Sequence, residues 1–211
     1  MKRDVSESIP VALLLALSGG FFDAYTFTCR DGVFANAQTG NIVMLGISLA
    51  KLNFHAVALY AVPIFAFVFG VLLTERLKRA KNFQRNALFL EIVVLIFVSI
   101  IPIQFNQAAN ALISFVCAIQ VDAFRTWHGH NFATTMCTGN LRSATALLEE
   151  AAEKRALAPL FRSFGYFLVI AVFIAGAATG FLFTTHFGIK SILAGIFPVL
   201  AVLIIVILAK K

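Results

Sequence analysis

Six stretches of this chain stay apolar over most of their length: residues 9–27, 55–74, 87–103, 108–124, 161–184 and 189–209. A helix needs about 20 mostly apolar residues to cross a hydrocarbon layer. Within each stretch the apolar positions continue around the whole helical circumference. A surface helix of a soluble domain would alternate between an apolar and a polar face. Open strands are excluded because lipid leaves their edges unsatisfied, and the ten-residue alternation of a membrane barrel is absent. The pattern predicts an all-α, polytopic membrane protein with six transmembrane helices in a single membrane domain spanning 1–211.

Two connections are long, residues 28–53 and 125–160. Each holds a polar stretch followed by a segment that predicts a short helix, over 41–52 and 141–156. The second of these ends in Glu149, Glu150, Glu153, Lys154 and Arg155, a solvated turn supported by neighbouring opposite charges.

The chain also repeats itself at an offset of 99 residues. Asp23-Ala24-Tyr25 matches Asp122-Ala123-Phe124, and Thr39-Gly40-Asn41 matches Thr138-Gly139-Asn140. Phe34-Ala35 matches Phe132-Ala133 with a slip of one residue. Repeat one covers about residues 9–103 and repeat two about 108–209. Each unit holds three helices, so the second starts from the opposite membrane face. Two three-helix inverted repeats with short broken or re-entrant segments are therefore expected, a plan that recurs in secondary transporters.

Composition agrees with a bilayer as solvent. The chain is 60% hydrophobic, 13% charged and contains 23 phenylalanines. Its net charge of +7 does not point to nucleic acid, because the basic residues gather in short segments between apolar runs. Lys2, Arg3, Arg76, Lys78, Arg79, Lys81, Arg85, Arg125, Arg142, Lys154, Arg155, Arg162, Lys210 and Lys211 fall on one side of a six-helix topology. Only Arg30, Lys51 and Lys190 fall on the other. By the positive-inside rule both termini are cytoplasmic. The run after Lys2 and Arg3 lacks a good small-residue cleavage site before Asp23 and belongs to the repeat, so it is expected to stay as the first helix.

Candidate chemistry centres on the repeated polar blocks. Asp23 lies about 20 Å along the first helix at 1.5 Å per residue, past the midplane. Asp122 lies at a similar depth in the fourth helix, which runs the other way. A carboxylate there is costly unless paired or hydrated, which makes both acids candidates for holding and releasing a proton. The bland alternative is an acid that accepts hydrogen bonds and locks a broken helix. Thr39, Gly40, Asn41, Thr138, Gly139 and Asn140 either present polar groups to a solute from a re-entrant segment or cap the short helix that follows. Asn36 and Gln38 extend the first block, and Gln120 precedes Asp122 on the same cavity side. Glu91 is expected near the cytoplasmic end of the third helix, within reach of Arg85.

Other features carry less. His128 and His130 beside Asp122 are a weak metal pattern, and the equivalent positions, Cys29 and Asp31, do not repeat it. Cys29, Cys117 and Cys137 have neither disulfide nor zinc spacing. Gly176-Ala177-Ala178-Thr179-Gly180 is a small-residue face for close helix packing within the monomer, with Gly70 as its counterpart. Pro63, Pro102 and Pro198 are expected to kink or end helices. No metal and no cofactor are expected, and no nucleophile–base pair marks an enzyme.

Ser18-Gly19-Gly20-Phe21-Phe22-Asp23-Ala24-Tyr25-Thr26-Phe27, followed by Phe34-Ala35-Asn36-Ala37-Gln38-Thr39-Gly40-Asn41, resembles the YoaK-like family of bacterial membrane proteins, a domain of unknown function. The resemblance is most specific over residues 19–49. It implies a six-helix protein of the inner membrane and assigns no substrate and no catalytic residue.

The expectation from sequence is a small-solute transporter or permease of the bacterial cytoplasmic membrane, with a proton-linked form resting on the acids. Its partners are the lipid bilayer and a small solute or proton. Six helices are few for a complete alternating-access pathway, so a homodimer is a further expectation. A non-transporting scaffold or sensor subunit is the alternative.

Overall fold

The computed structural model describes residues 8–127, 130–131 and 135–209. Lys2, Arg3, His128, Phe132, Ala133, Lys210 and Lys211, which figured in the topology, metal and repeat arguments, lie outside them. Eight α-helices form the body: α1 (Ile9–Cys29), α2 (Gln38–Ala50), α3 (Phe54–Leu77), α4 (Phe83–Val98), α5 (Asn106–Ala123), α6 (Cys137–Lys154), α7 (Leu157–Phe187) and α8 (Ile192–Leu208). Two two-residue strands, β1 (Thr126–Trp127) and β2 (His130–Asn131), pair antiparallel between α5 and α6.

The apolar runs become helices because an apolar surround forces backbone groups to pair within the segment. Local residues set the ends. Pro10 opens α1 where its missing N–H costs nothing. Asn53 Oδ1 accepts from the Ala56 amide at 3.1 Å and caps α3. Gly188, at φ 55°, ends α7 in the left-handed region that glycine tolerates. Pro102 follows the end of α4, whereas Pro63 and Pro198 lie inside α3 and α8.

Three stretches are long and apolar enough to cross a bilayer: Ile9–Cys29, Phe54–Leu77 and Leu157–Leu208. The last folds as two helices, α7 and α8, joined by a 3-10 turn at Gly188–Ser191. The other two predicted spans form helices but fall short of that measure. α4 has only 16 residues. α5 carries Asn106, Gln107, Asn110, Gln120 and Asp122, and Asn106, Asn110, Ser114 and Gln120 are all buried, so its polar side faces inward. Large apolar side chains cover much of the exterior: Phe54, Phe65 and Phe197 are each 72% exposed.

α1 is the central element. It packs along α7 on one side and against α8 on the other, while α5 packs along α3 and α4, and α4 crosses α8. α2 and α6 lie against α3 and α7. The main core joins α1, α4, α5 and α8 through Leu15, Phe22, Tyr25, Leu88, Leu95, Ile113, Cys117 and Val202. A second cluster joins α1, α6 and α7 through Ala12, Ala16, Ala144, Tyr166 and Val169.

Glycines set how closely the long helices approach. A Cβ on Gly20 would run into the Phe173 carbonyl, one on Gly176 into the Leu17 carbonyl and one on Gly180 into the Phe21 carbonyl. Gly70 does the same for the α3–α5 pair, where a Cβ would meet the Phe115 carbonyl. The small-residue face of α7 thus packs within the chain.

The one fully buried guanidinium among the described residues belongs to Arg30, just past the end of α1. Its Nε donates to the Tyr25 hydroxyl at 3.0 Å, and one terminal nitrogen donates to the Val98 carbonyl at 3.0 Å. The other donates to the Ile101 carbonyl at 3.0 Å and to Asn106 Oδ1 at 2.9 Å. Val98 and Ile101 lie at the end of α4, whose dipole favours a cation. Tyr25 in turn donates to the Ile189 carbonyl at 3.0 Å, and Asn110 donates to the Arg30 carbonyl at 2.7 Å. Arg30 therefore joins the ends of α1 and α4, the start of α5 and the α7–α8 turn. Sequence reasoning counted it only as a topology charge.

Two stability predictions follow from these contacts, both read as thermal unfolding of detergent-purified protein. Arg30→Met should lower stability by about 1–3 kcal/mol for each buried acceptor left without a donor, and Arg30→Lys should recover only part of that. Gly176→Leu should lose at least about 1–3 kcal/mol by overpacking, whereas Gly46→Ala, with open space around its Cβ, should be neutral or stabilising. Equal losses at Gly46 and Gly176 would refute the packing argument.

Candidate functional site

After Arg30 the chain turns through Asp31 and Gly32, at φ 69° and 72°, and folds back along α1. Backbone in such a place needs partners, and side chains supply them. Asp23 Oδ1 accepts from the Asn36 amide at 2.6 Å and the Ala37 amide at 3.4 Å. Asn36 Nδ2 donates to the Gly19 carbonyl at 3.3 Å. Asn41 closes a ring with Phe34: its Oδ1 accepts from the Phe34 amide at 3.0 Å and its Nδ2 donates to the Phe34 carbonyl at 2.8 Å. Gln38 Nε2 donates to the Ala35 carbonyl at 2.9 Å.

These bonds change the expected role of the Thr-Gly-Asn blocks. Both short helices start earlier than predicted, at Gln38 and Cys137, so each block lies inside a first helical turn. Neither helix has a side-chain N-cap bond. Asn41 instead fastens the incoming loop to the helix, and Asn140 is buried at the matching position. The two glycines differ as well. A Cβ on Gly40 would meet the Phe34 ring, whereas the space around Gly139 is open.

One cavity of about 510 Å³ takes wall from both halves of the chain; of the two blocks Thr39, Thr138 and Gly139 line it, while Gly40, Asn41 and Asn140 do not. Asp23, Asn36, Gln38 and Thr39 line it from the first half of the chain, and Thr135, Cys137, Thr138 and Gly139 from the second. Phe27, Phe34, Phe67 and Phe173 supply aromatic wall. Its size lies in the range of small-molecule sites, which combine mostly apolar walls with a few placed polar groups. Asp23 Oδ2 and Asn36 Oδ1 are buried with no hydrogen-bond partner. No group of three or more potential metal ligands occurs among the described residues. Cys29, Cys117 and Cys137 are free thiols.

The remaining candidates lie elsewhere. Asp122 is in the last turn of α5, 3.6 Å from Arg125, beside a separate polar pocket that includes Lys78, Asn82 and Gln84. Asp122 Oδ2 is also buried without a partner. Gln120 turns away from the cavity and donates to both carboxylate oxygens of Glu91, at 2.8 and 3.0 Å. Glu91 is 1% exposed, so it neither snorkels nor pairs with Arg85. The signal for that burial was present in the sequence. Leu88, Glu91, Leu95 and Val98 recur at helical spacing and form the inward face of α4.

A family model described as "Protein of unknown function (DUF1275)" matches residues 11–208. The chain belongs to the DUF1275 family. No curated protein and no solved structure matches it. The matched span includes α1, both Thr-Gly-Asn blocks and every wall residue of the cavity. Membership brings no substrate to the cavity, so its chemistry rests on the residues of this DUF1275 chain.

The loop bonds predict a contrast at Asp23. Asp23→Asn retains an oxygen for the Asn36 and Ala37 amides and should keep the loop in place. Asp23→Ala removes both bonds and should cost about 1–3 kcal/mol for the donors left unpaired. Hydrogen exchange of those two amides should accelerate in the alanine variant and stay near wild type in the asparagine variant. Unchanged protection in Asp23→Ala would show that Asp23 does not hold the loop.

Proposed function

We propose that this protein is a small-solute transporter or permease of the bacterial cytoplasmic membrane, built as two inverted units with its solute site between them. The observation that carries the proposal is the cavity itself. Thr39 and Thr138, which stand 99 residues apart in the repeated pattern, line one chamber next to a buried acid that has an unpartnered oxygen. A fold stabilised only by packing has no need of such a chamber.

Helix pairing supports the inverted plan. Exchanging α1, α2, α3 and α4 for α5, α6, α7 and α8 turns the α1–α7 contact into α5–α3, α2–α3 into α6–α7 and α1–α8 into α5–α4. The α4–α8 contact maps onto itself, as a pair on the pseudo-two-fold axis should. In this reading α1, α3, α4, α5, α7 and α8 are the six spans, and α2 and α6 are the short re-entrant helices. The inward-facing polar side of α5 explains how a span can have modest hydropathy. Basic residues concentrated at the α3–α4 and α5–α7 connections support a cytoplasmic side for those segments and for both termini. Asp23 is the residue through which a proton or a cation would be coupled.

Topology and transport are separately testable. In a cysteine-free background, cysteines at Lys51 and Lys190 should react with an impermeant thiol reagent added outside intact cells, and one at Lys81 only after lysis. The reverse or a mixed pattern would remove the six-span plan. In proteoliposomes, Asp23→Asn should abolish solute-dependent flux while the protein stays monodisperse. A wild type that moves no solute in a broad metabolite screen, yet co-purifies with a fixed partner, would favour the scaffold reading.

A further inference from the structure

We propose that the cavity takes a small ammonium-bearing solute with an apolar body, a protonated primary or secondary amine. This rests on the reading of the cavity as the solute site and adds the class of solute. The buried polar atoms left without partners beside the cavity are Asn36 Oδ1, an acceptor, and Asp23 Oδ2, an acceptor in the ionised acid. A group that satisfies them must donate hydrogen bonds, and a cation does so most strongly against a carboxylate. Among the described residues no lysine or arginine lines the cavity, so an anionic solute would face Asp23 with no countercharge from those side chains. Phe67 and Phe173, on α3 and α7, add ring surface from opposite halves of the chain. Aromatic faces accept both an apolar body and a cation.

The helix ends do not reverse this preference. The first turns of α2 and α6 border the cavity, and free helical amides attract anions. At α2 the amides that lead into the helix, those of Asn36 and Ala37, already point at Asp23 Oδ1. The carboxylate thereby occupies the anion position on that side and leaves its other oxygen unpaired beside the cavity. Thr39 and Thr138 hydroxyls can donate or accept and tolerate either partner.

Three compounds with one skeleton and different charge test the proposal: 2-phenylethylammonium, 2-phenylethanol and 3-phenylpropionate. Each is titrated into full-length protein in detergent while the thermal midpoint is followed, since a ligand of the native state raises it by mass action. The ammonium compound should reach half-effect at about a tenfold lower concentration than the alcohol, as expected for a charge-assisted bond. The propionate should have the weakest effect. Asp23→Asn should remove the ammonium advantage and leave the alcohol unchanged. If that variant is not monodisperse, Phe67→Leu serves instead and should weaken the ammonium compound and the alcohol together. A propionate or alcohol that matches or exceeds the ammonium compound, with an effect sensitive to Phe67→Leu, overturns the amine class and keeps the cavity as a solute site. No shift with any of the three overturns both.

Discussion

A buried guanidinium with no carboxylate against it among the described residues organises this molecule. Arg30 is surrounded by carbonyl, amide and hydroxyl oxygens instead: Val98, Ile101, Asn106 and Tyr25. A planar fork of donors can satisfy several such oxygens at once, which an ammonium cannot. The carbonyls at the end of α4 carry the negative end of its dipole, so the site is electrostatically suited to a cation without an acid. Because its partners come from distant parts of the chain, one side chain sets where α1 stops, where α4 stops and where α5 begins. The turn through Asp31 and Gly32 starts from that fixed point, and Asp31 is itself held by Asn106 Nδ2 at 2.9 Å. The return of the loop to Asp23, and with it the floor of the cavity, depends on this anchor.

Close backbone approach is the second constraint. α1 and α7 meet through glycines on both helices, Gly20 against Phe173 and Gly176 against Leu17. α3 and α5 meet through Gly70. In an apolar surround there is little hydrophobic drive between helices, so contact depends on backbones coming near enough for dispersion to accumulate. These tight pairs bring Phe67 on α3 and Phe173 on α7 to a common chamber. The cavity lies beside the tight α1–α7 pair, lined by Phe173 and Ala177 of α7 and by the first turns of α2 and α6.

Much of this architecture was legible from residue order. Apolar runs located six of the eight α-helices among the described residues. What was hidden depends on three-dimensional neighbours. Arg30 looks like any loop charge until the carbonyls of residues about 70 positions later are placed around it. Glu91 looked accessible because Arg85 is close in sequence, yet its helical phase aligns it with Leu88 and Leu95. The starts of α2 and α6 were placed a few residues late because glycine and asparagine argue against a helix interior. Asn41 offsets that preference by binding the Phe34 peptide group, a bond that reaches seven residues back.

Asp23 and Asp122 stand at equivalent positions in the repeated pattern but have diverged in their surroundings. Asp23 is six residues from the end of α1, deep enough for the returning loop to cover it and donate to one oxygen. Asp122 is one residue from the end of α5, where Arg125 on the same segment reaches it. The difference begins with helix length: α1 continues two turns past its acid, while α5 stops almost at once. The first acid therefore lies inside the protein beside a chamber, and the second lies at its edge beside an exposed countercharge that water also reaches. A transporter built from two such units would be chemically lopsided, with one half supplying the charged contact and the other supplying Thr138 and the open backbone at Gly139. That asymmetry is consistent with Arg30, which also has no arginine counterpart in the second unit, since the equivalent position is Gly129. The half that carries the buried acid is also the half that carries the anchor holding its loop in place.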